Sequence, residues 1–222
     1  MLRPAGIILA TAFAVFAFAA CGGGGGTTVT ERTVPVSGTA VPRPTLETST
    51  GFPEVDAVIA AALVQDDIEL AGLTGYQVLA CRPPEEPGDG PPCREGESAG
   101  AEIEVMAATT CENGWVRPEA VPDAYTLSFA PDPPELVAVY TPRFTDATFG
   151  GGFGATAVAV FKTGIHEETG LTRGTALYID KGRTVWLRGD CTDLVELLDP
   201  SGIETYLIAP APAELPSPTP IP

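Results

Sequence analysis

The chain carries little positive charge. Twelve Lys and Arg stand against 29 Asp and Glu, with one His, for a formal net charge of -17. Such a chain offers no basic face to a phosphate backbone, which excludes a general nucleic-acid binder. The single His also narrows the chemistry. Any Ser-His-Asp triad would have to use His166, and no Gly-x-Ser-x-Gly elbow marks a serine partner. His166-Glu167-Glu168 lacks the second His of a metalloprotease helix and lies between Gly164 and Gly170. It reads as a solvated turn, with a general base on a loop as the alternative. There is no Gly-Lys-Ser/Thr for a nucleotide phosphate. The run Gly150-Gly151-Gly152-Phe153-Gly154-Ala155 precedes a strand rather than a helix, so it presents no helix N-terminus to a dinucleotide. No cofactor is expected.

Long hydrophobic runs are also missing. The longest, Gly6 to Ala20, has 15 residues, short of the roughly 20 that span a bilayer. It follows Met1-Leu2-Arg3 and suits the apolar region of an export signal. Phe18-Ala19-Ala20-Cys21 then places two small residues before a cysteine, followed by Gly22 to Gly26. This segment resembles the lipobox of bacterial lipoproteins, with Phe18 where that family usually has Leu. The resemblance implies cleavage before Cys21, a diacylglyceryl thioether on its sulfur, and anchoring in the cell membrane on the extracytoplasmic side. One acyl chain holds a protein only marginally, and two or more make the anchor stable.

Gly (25) and Pro (23) gather towards the two ends. Residues 21–53 carry Gly, Thr, Ser and Pro without an apolar period and read as a solvated tether between lipid and domain. Residues 209–222 end Pro-Ser-Pro-Thr-Pro-Ile-Pro and read as an extended tail. Between them, residues 54–208 are the right length for one domain. With 44% hydrophobic and 18% charged residues, the chain has enough apolar surface to form a core.

The domain reads as α+β. Val55, Val58, Ile59, Ala62 and Leu63 form one helical stripe after Pro53. Asp66-Asp67 caps a second turn that stops at Gly72. Strands are expected at 76–81, 101–107, 125–129, 136–140, 155–161, 175–179 and 184–188, with a tight hairpin at Asp180-Lys181-Gly182-Arg183. Strand 101–107 alternates and should be half exposed, whereas 155–161 is nearly all apolar and should be central. A last short helix follows Cys191-Thr192-Asp193. Helices followed by a run of strands predict N-terminal helices packed on a curved antiparallel sheet. In order and pattern, residues 54–190 resemble the NTF2-like cone fold, or a cystatin-like one. That fold hosts both enzymes and binding modules, so it implies no activity by itself.

Cys21 aside, Cys81, Cys93, Cys111 and Cys191 remain, an even number in a chain expected to be exported. Their gaps of 12, 18 and 80 residues lack the close pairs of a zinc site, so no metal is expected. Of the three possible pairings, Cys81–Cys93 with Cys111–Cys191 is preferred because the first closes a proline-rich loop. Cys81–Cys111 with Cys93–Cys191 is the runner-up. The acidic stretch Glu85 to Gly90 with Glu95-Gly96-Glu97 lacks the calcium-loop pattern and reads as a solvated loop. Arg188-Gly189-Asp190 beside Cys191 is read as a chance tripeptide.

The one local candidate for a binding surface is Tyr140 to Phe153. There Tyr140, Phe144, Phe149 and Phe153 surround Arg143 and a glycine run. The expected function is therefore that of a membrane-anchored lipoprotein whose domain binds a small ligand or an envelope protein without catalysis. The alternative is a small hydrolase or isomerase with an active site in an NTF2-like cavity.

Overall fold

The computed structural model describes residues 49–85, 90–109, 113–130, 132–143, 154–167, 169–189 and 191–212. All of them belong to one compact unit, Val41–Pro222. The fold is α+β, with a mixed sheet of eight strands and short helices. In chain order the elements are α1 (Pro53–Leu63), α2 (Asp67–Gly72), β1 (Gln77–Ala80), β2 (Glu102–Thr109), β3 (Asn113–Val116), α3 (Val121–Phe129), β4 (Glu135–Pro142), β5 (Ala157–Ile165), β6 (Thr172–Asp180), β7 (Arg183–Arg188), α4 (Leu194–Leu197) and β8 (Ile203–Ile208). The strand order is β1-β2-β7-β6-β5-β4-β8, and β3 pairs with β2.

Three expectations are corrected. The sheet is not purely antiparallel, because β2 runs parallel to β7 with Ala107, Ala108 and Thr109 opposite Trp186, Leu187 and Arg188. Nor are the helices gathered at the N-terminus: α3 lies between β3 and β4, and α4 between β7 and β8. The segment 125–129, expected as a strand, is the second half of α3. Its Tyr, Thr and Phe favour strands, but Pro122 stands in the first turn and Val121, Tyr125, Ser128 and Phe129 all turn inward at helical spacing. Burial of that stripe outweighs intrinsic propensity.

The helix starts follow local rules. Pro53 opens α1. Upstream of it Thr50 is buried, and its N–H and hydroxyl donate to the Asp56 carboxylate at 3.0 and 2.7 Å. Asp66 caps α2 by accepting from the Glu69 N–H at 2.8 Å. The β6–β7 hairpin turns on Lys181 and Gly182, with φ of 47° and 73°. Both are left-handed, as a two-residue primed turn requires. The turn also abuts α1, since a Cβ on Gly182 would stand 2.7 Å from the Glu54 Cβ.

Side-chain alternation splits the core across the sheet. Val139, Ala157, Ala159, Phe161, Leu177 and Ile179 meet α1, α2 and α3 on one face, where Phe129 packs edge-on against Phe161 at 5.4 Å between ring centres. Tyr140, Val158, Val160 and Ala176 meet Leu194, Leu197 and Leu198 of the α4 region on the other. Strand β5 is buried on both faces, which is why its sequence is almost continuously apolar. No helix among the described residues is long and apolar enough to cross a membrane.

Candidate functional site

The expected aromatic loop divides on inspection. Tyr140 is 5% exposed, and its hydroxyl donates to the Leu197 carbonyl at 3.1 Å. It belongs to the core and is not available as a binding residue. Burial raises its phenol above the ordinary range. Arg143 is exposed and donates to the Ile203 carbonyl at 3.1 Å, tying the end of β4 to β8. Phe144, Phe149 and Phe153 lie outside the described residues, as do Cys21, Cys111 and the tail from residue 213.

Register reveals a row that the sequence pattern did not. Trp186, Tyr178, Val158, Tyr140 and Tyr206 stand opposite one another across β7, β6, β5, β4 and β8. Tyr178 stacks on Trp186 at 4.2 Å, and Tyr140 meets Tyr206 edge-on at 6.3 Å. Trp186 Nε1 donates to the Thr109 hydroxyl at 3.0 Å. This row is packing on the α4 face of the sheet.

The cysteines behave as staples. Cys81–Cys93 is formed, which excludes the runner-up pairing. Cys191 is also disulfide-bonded. Strands β1 and β2 form an arm, with Gln77 to Ala80 paired to Val105 to Glu102, and this disulfide sits beyond its tip. Of the acidic stretch expected to be solvated, Glu97 is clamped there. Arg117 forks onto Glu97 with two hydrogen bonds of 2.6 Å, and Arg94 pairs with Glu119. The Arg117 hydrogen bonds hold the Glu97 carboxyl down to about 2, helped by the Arg94 N–H. Two shallow clefts of about 360 and 310 Å³ flank Cys93 and Arg94.

His166 is not a freely solvated side chain. It is partly buried, with Nε2 3.5 Å from Asp193 Oδ1. Neither residue lines the cavities described here. Among the described residues no three His, Cys, Asp or Glu side chains gather as a metal site.

The largest of these concavities lies between α2 and α3 and measures about 430 Å³. Leu70, Tyr125 and Phe129, all essentially buried, line its apolar part. Tyr125 is fixed from behind: its hydroxyl and that of Thr74 lie 2.9 Å apart, and it approaches the Met106 sulfur at 3.7 Å. Burial pushes this phenol up to about 12. The polar part comes from Gln65, Asp67 and Thr126. Thr126 donates to Asp67 at 3.1 Å, which joins the two helices across the cleft. Gln65 donates through Nε2 to the Phe129 carbonyl at 3.1 Å. It does so from a left-handed backbone, φ 53°, in the tight connection between α1 and α2. Non-glycine residues are held that way where the surroundings over-determine them, and such places cluster at ligand clamps.

The residues next in sequence to three of the lining positions are exposed apolar side chains. Ile68 follows Asp67 and is 69% exposed, Leu127 follows Thr126 and is 68% exposed, and Val64 precedes Gln65 and is 40% exposed. The sequence reading missed this cleft because it assigned 125–129 to a strand. The available signal was the Val121–Tyr125–Phe129 stripe, which leaves Leu127 on the outer side of a helix. No family model matches the chain, and no curated protein and no solved structure is significantly similar to it.

Proposed function

We propose that this protein is an extracytoplasmic lipoprotein, anchored through acyl chains on Cys21, whose domain acts by binding rather than by catalysis. The observation that carries the binding reading is the α2–α3 cleft, with a preformed apolar interior and a few fixed polar groups. The strongly displaced groups fit it, since Glu97 is held down and the buried phenols are pushed up, away from the range where a general acid or base operates at neutral pH. The helix layer α1–α3 on one face of the sheet supports an NTF2-like or cystatin-like cone as the fold reading, with the parallel β2–β7 contact as a departure from it. The anchor rests on the residues around Cys21.

Two measurements test this. Cys21→Ala is expected to abolish incorporation of labelled fatty acid and release the chain from membranes; continued labelling overturns the anchor. For the cleft, Thr126→Trp, which puts a bulky side chain at a lining position, is expected to reduce capture of apolar probes by the folded protein. Unchanged capture by a variant with wild-type circular dichroism overturns the cleft as the binding site.

A further inference from the structure

The polar half of the cleft is built of acceptors. Asp67 is the one charged residue of the lining. It takes the Thr126 hydroxyl on Oδ2, and its Oδ1 has no partner among the described residues. Thr126 Oγ1 stands 3.1 Å from both Asp67 Oδ2 and the Pro122 carbonyl, so its single hydrogen is committed and only lone pairs remain. Gln65 gives one amide hydrogen to the Phe129 carbonyl, which leaves Oε1 as an acceptor and one hydrogen as a donor. The Tyr125 hydroxyl is engaged behind the lining with Thr74 and Met106. The end of α3 adds to this bias, since Phe129 and Ala130 bring it into the cleft. Its last turn carries no basic residue, and the side chains that donate to its last carbonyls are neutral, Gln65 on Phe129 and Thr175 on Ser128. The negative end of a helix dipole favours a cation within the last turn. A carboxylate oxygen and a helix C-terminus therefore favour a positive centre in the same cleft.

The apolar half decides what carries the charge. Leu70, Tyr125 and Phe129 offer hydrocarbon and ring surface that a metal ion does not use. Calcium also takes about six to eight oxygen ligands, and among the described residues no three acidic, His or Cys side chains gather as a metal site. An organic ammonium uses both halves. Its N–H groups meet the acceptors, its body lies on the apolar lining, and aromatic rings attract its charge. The cleft, at about 430 Å³, has the size of a small-molecule site.

We infer that the α2–α3 cleft binds a compact amphiphilic amine, its apolar body against Leu70 and Phe129 and its protonated nitrogen donating to Asp67 Oδ1 and Gln65 Oε1. This inference rests on the binding reading above and names the class of ligand.

The test titrates the full chain, in a neutral detergent, with three probes of similar size: phenethylamine, phenethyl alcohol and phenylacetate. Binding is read from the amide NMR shifts of residues 65–70 and 125–130, which report the cleft itself. Phenethylamine is expected to bind about fivefold more tightly than the alcohol, the size of a partly exposed charge pair, and phenylacetate to bind most weakly. Asp67→Asn is expected to weaken the amine about fivefold and to leave the alcohol unchanged, which shows that the cleft is still formed. Glu102→Gln with Glu104→Gln, on the arm, removes more charge and should leave the amine unchanged. If the arm variant weakens the amine as much as Asp67→Asn does, the attraction is that of the whole -17 chain and the inference falls. If the alcohol binds as tightly as the amine and Thr126→Trp blocks both, the cleft stands as a binding site but the amine does not. If the amine binds and a folded Thr126→Trp variant keeps wild-type affinity, or if none of the three probes moves these amides, both the cleft and this inference are overturned.

Discussion

The central sheet and the β1–β2 arm are held by different physics. In β4 to β7 the side chains on both faces are buried and the strands lock by packing; Val158, Ala159, Val160, Phe161, Ala176 and Leu177 are fully buried. The arm has little to bury. β1 alternates between partly buried and exposed, and Val78 is 56% exposed. A two-stranded ribbon is marginal in water by itself. Here a disulfide and two ion pairs substitute for a core. Strand β2 crosses between the two regimes. Its first residues alternate, while Val105 to Ala108 are buried in succession where the strand enters the sheet. Exposed polypeptide can thus be ordered by cross-links where apolar area is missing.

The comparison can be broken first at the sheet. Phe161→Ala removes a fully buried ring that packs on Phe129 and should cost about 3–5 kcal/mol in urea unfolding. A loss below about 1 kcal/mol would mean the core does not rest on β5. Gly174→Ala should cost about 1–3 kcal/mol, because the new Cβ would stand 2.9 Å from the Leu194 Cα and force α4 off β6. In the arm, replacing Cys81 and Cys93 together by Ala should cost about 3 kcal/mol through loop entropy of the unfolded chain. The sheet should keep its native circular dichroism, and hydrogen exchange should rise in 77–85 and 90–105 before it rises in β5 or β6. Equal acceleration everywhere would show that arm and sheet unfold as one unit.

The smallest effect concerns pH. Glu97 titrates at about 2 in the folded protein, against roughly 4.3 when unfolded. Its folded value is depressed, so its contribution is complete above the unfolded value and is lost as pH falls from about 4.5 towards 2. Glu97→Gln should flatten the acid limb of the stability curve in that window, and only slightly, since the group is close to solvent. An identical acid limb in the variant would remove the clamp from the account of the arm.

Where a residue's neighbours in sequence decide its state, the pattern was readable. The Asp66 cap, the α1 stripe, the Lys181-Gly182 turn and the two-sided burial of β5 all follow from spacings within about ten residues. The preferred Cys81–Cys93 bridge is of the same kind, a short loop closed on itself. Strand β8, absent from the expected elements, has no such signal: Ile203-Glu204-Thr205-Tyr206 follows a proline turn, and only pairing with β4 makes it extended. The candidate site lay in the same blind spot, since Gln65 and Phe129 are 64 residues apart and are joined by one hydrogen bond.

Local sequence therefore determined the caps, the primed turn and the apolar strand, because each is set by dihedral preference or by composition within a single element. Tertiary structure decided that 121–129 is helical, that β2 runs beside β7, that Glu97 meets Arg117, and that α2 and α3 enclose a cleft between them. Each of those is a contact between distant segments, chosen by which faces can be buried together, and that free energy exists only once the segments have met.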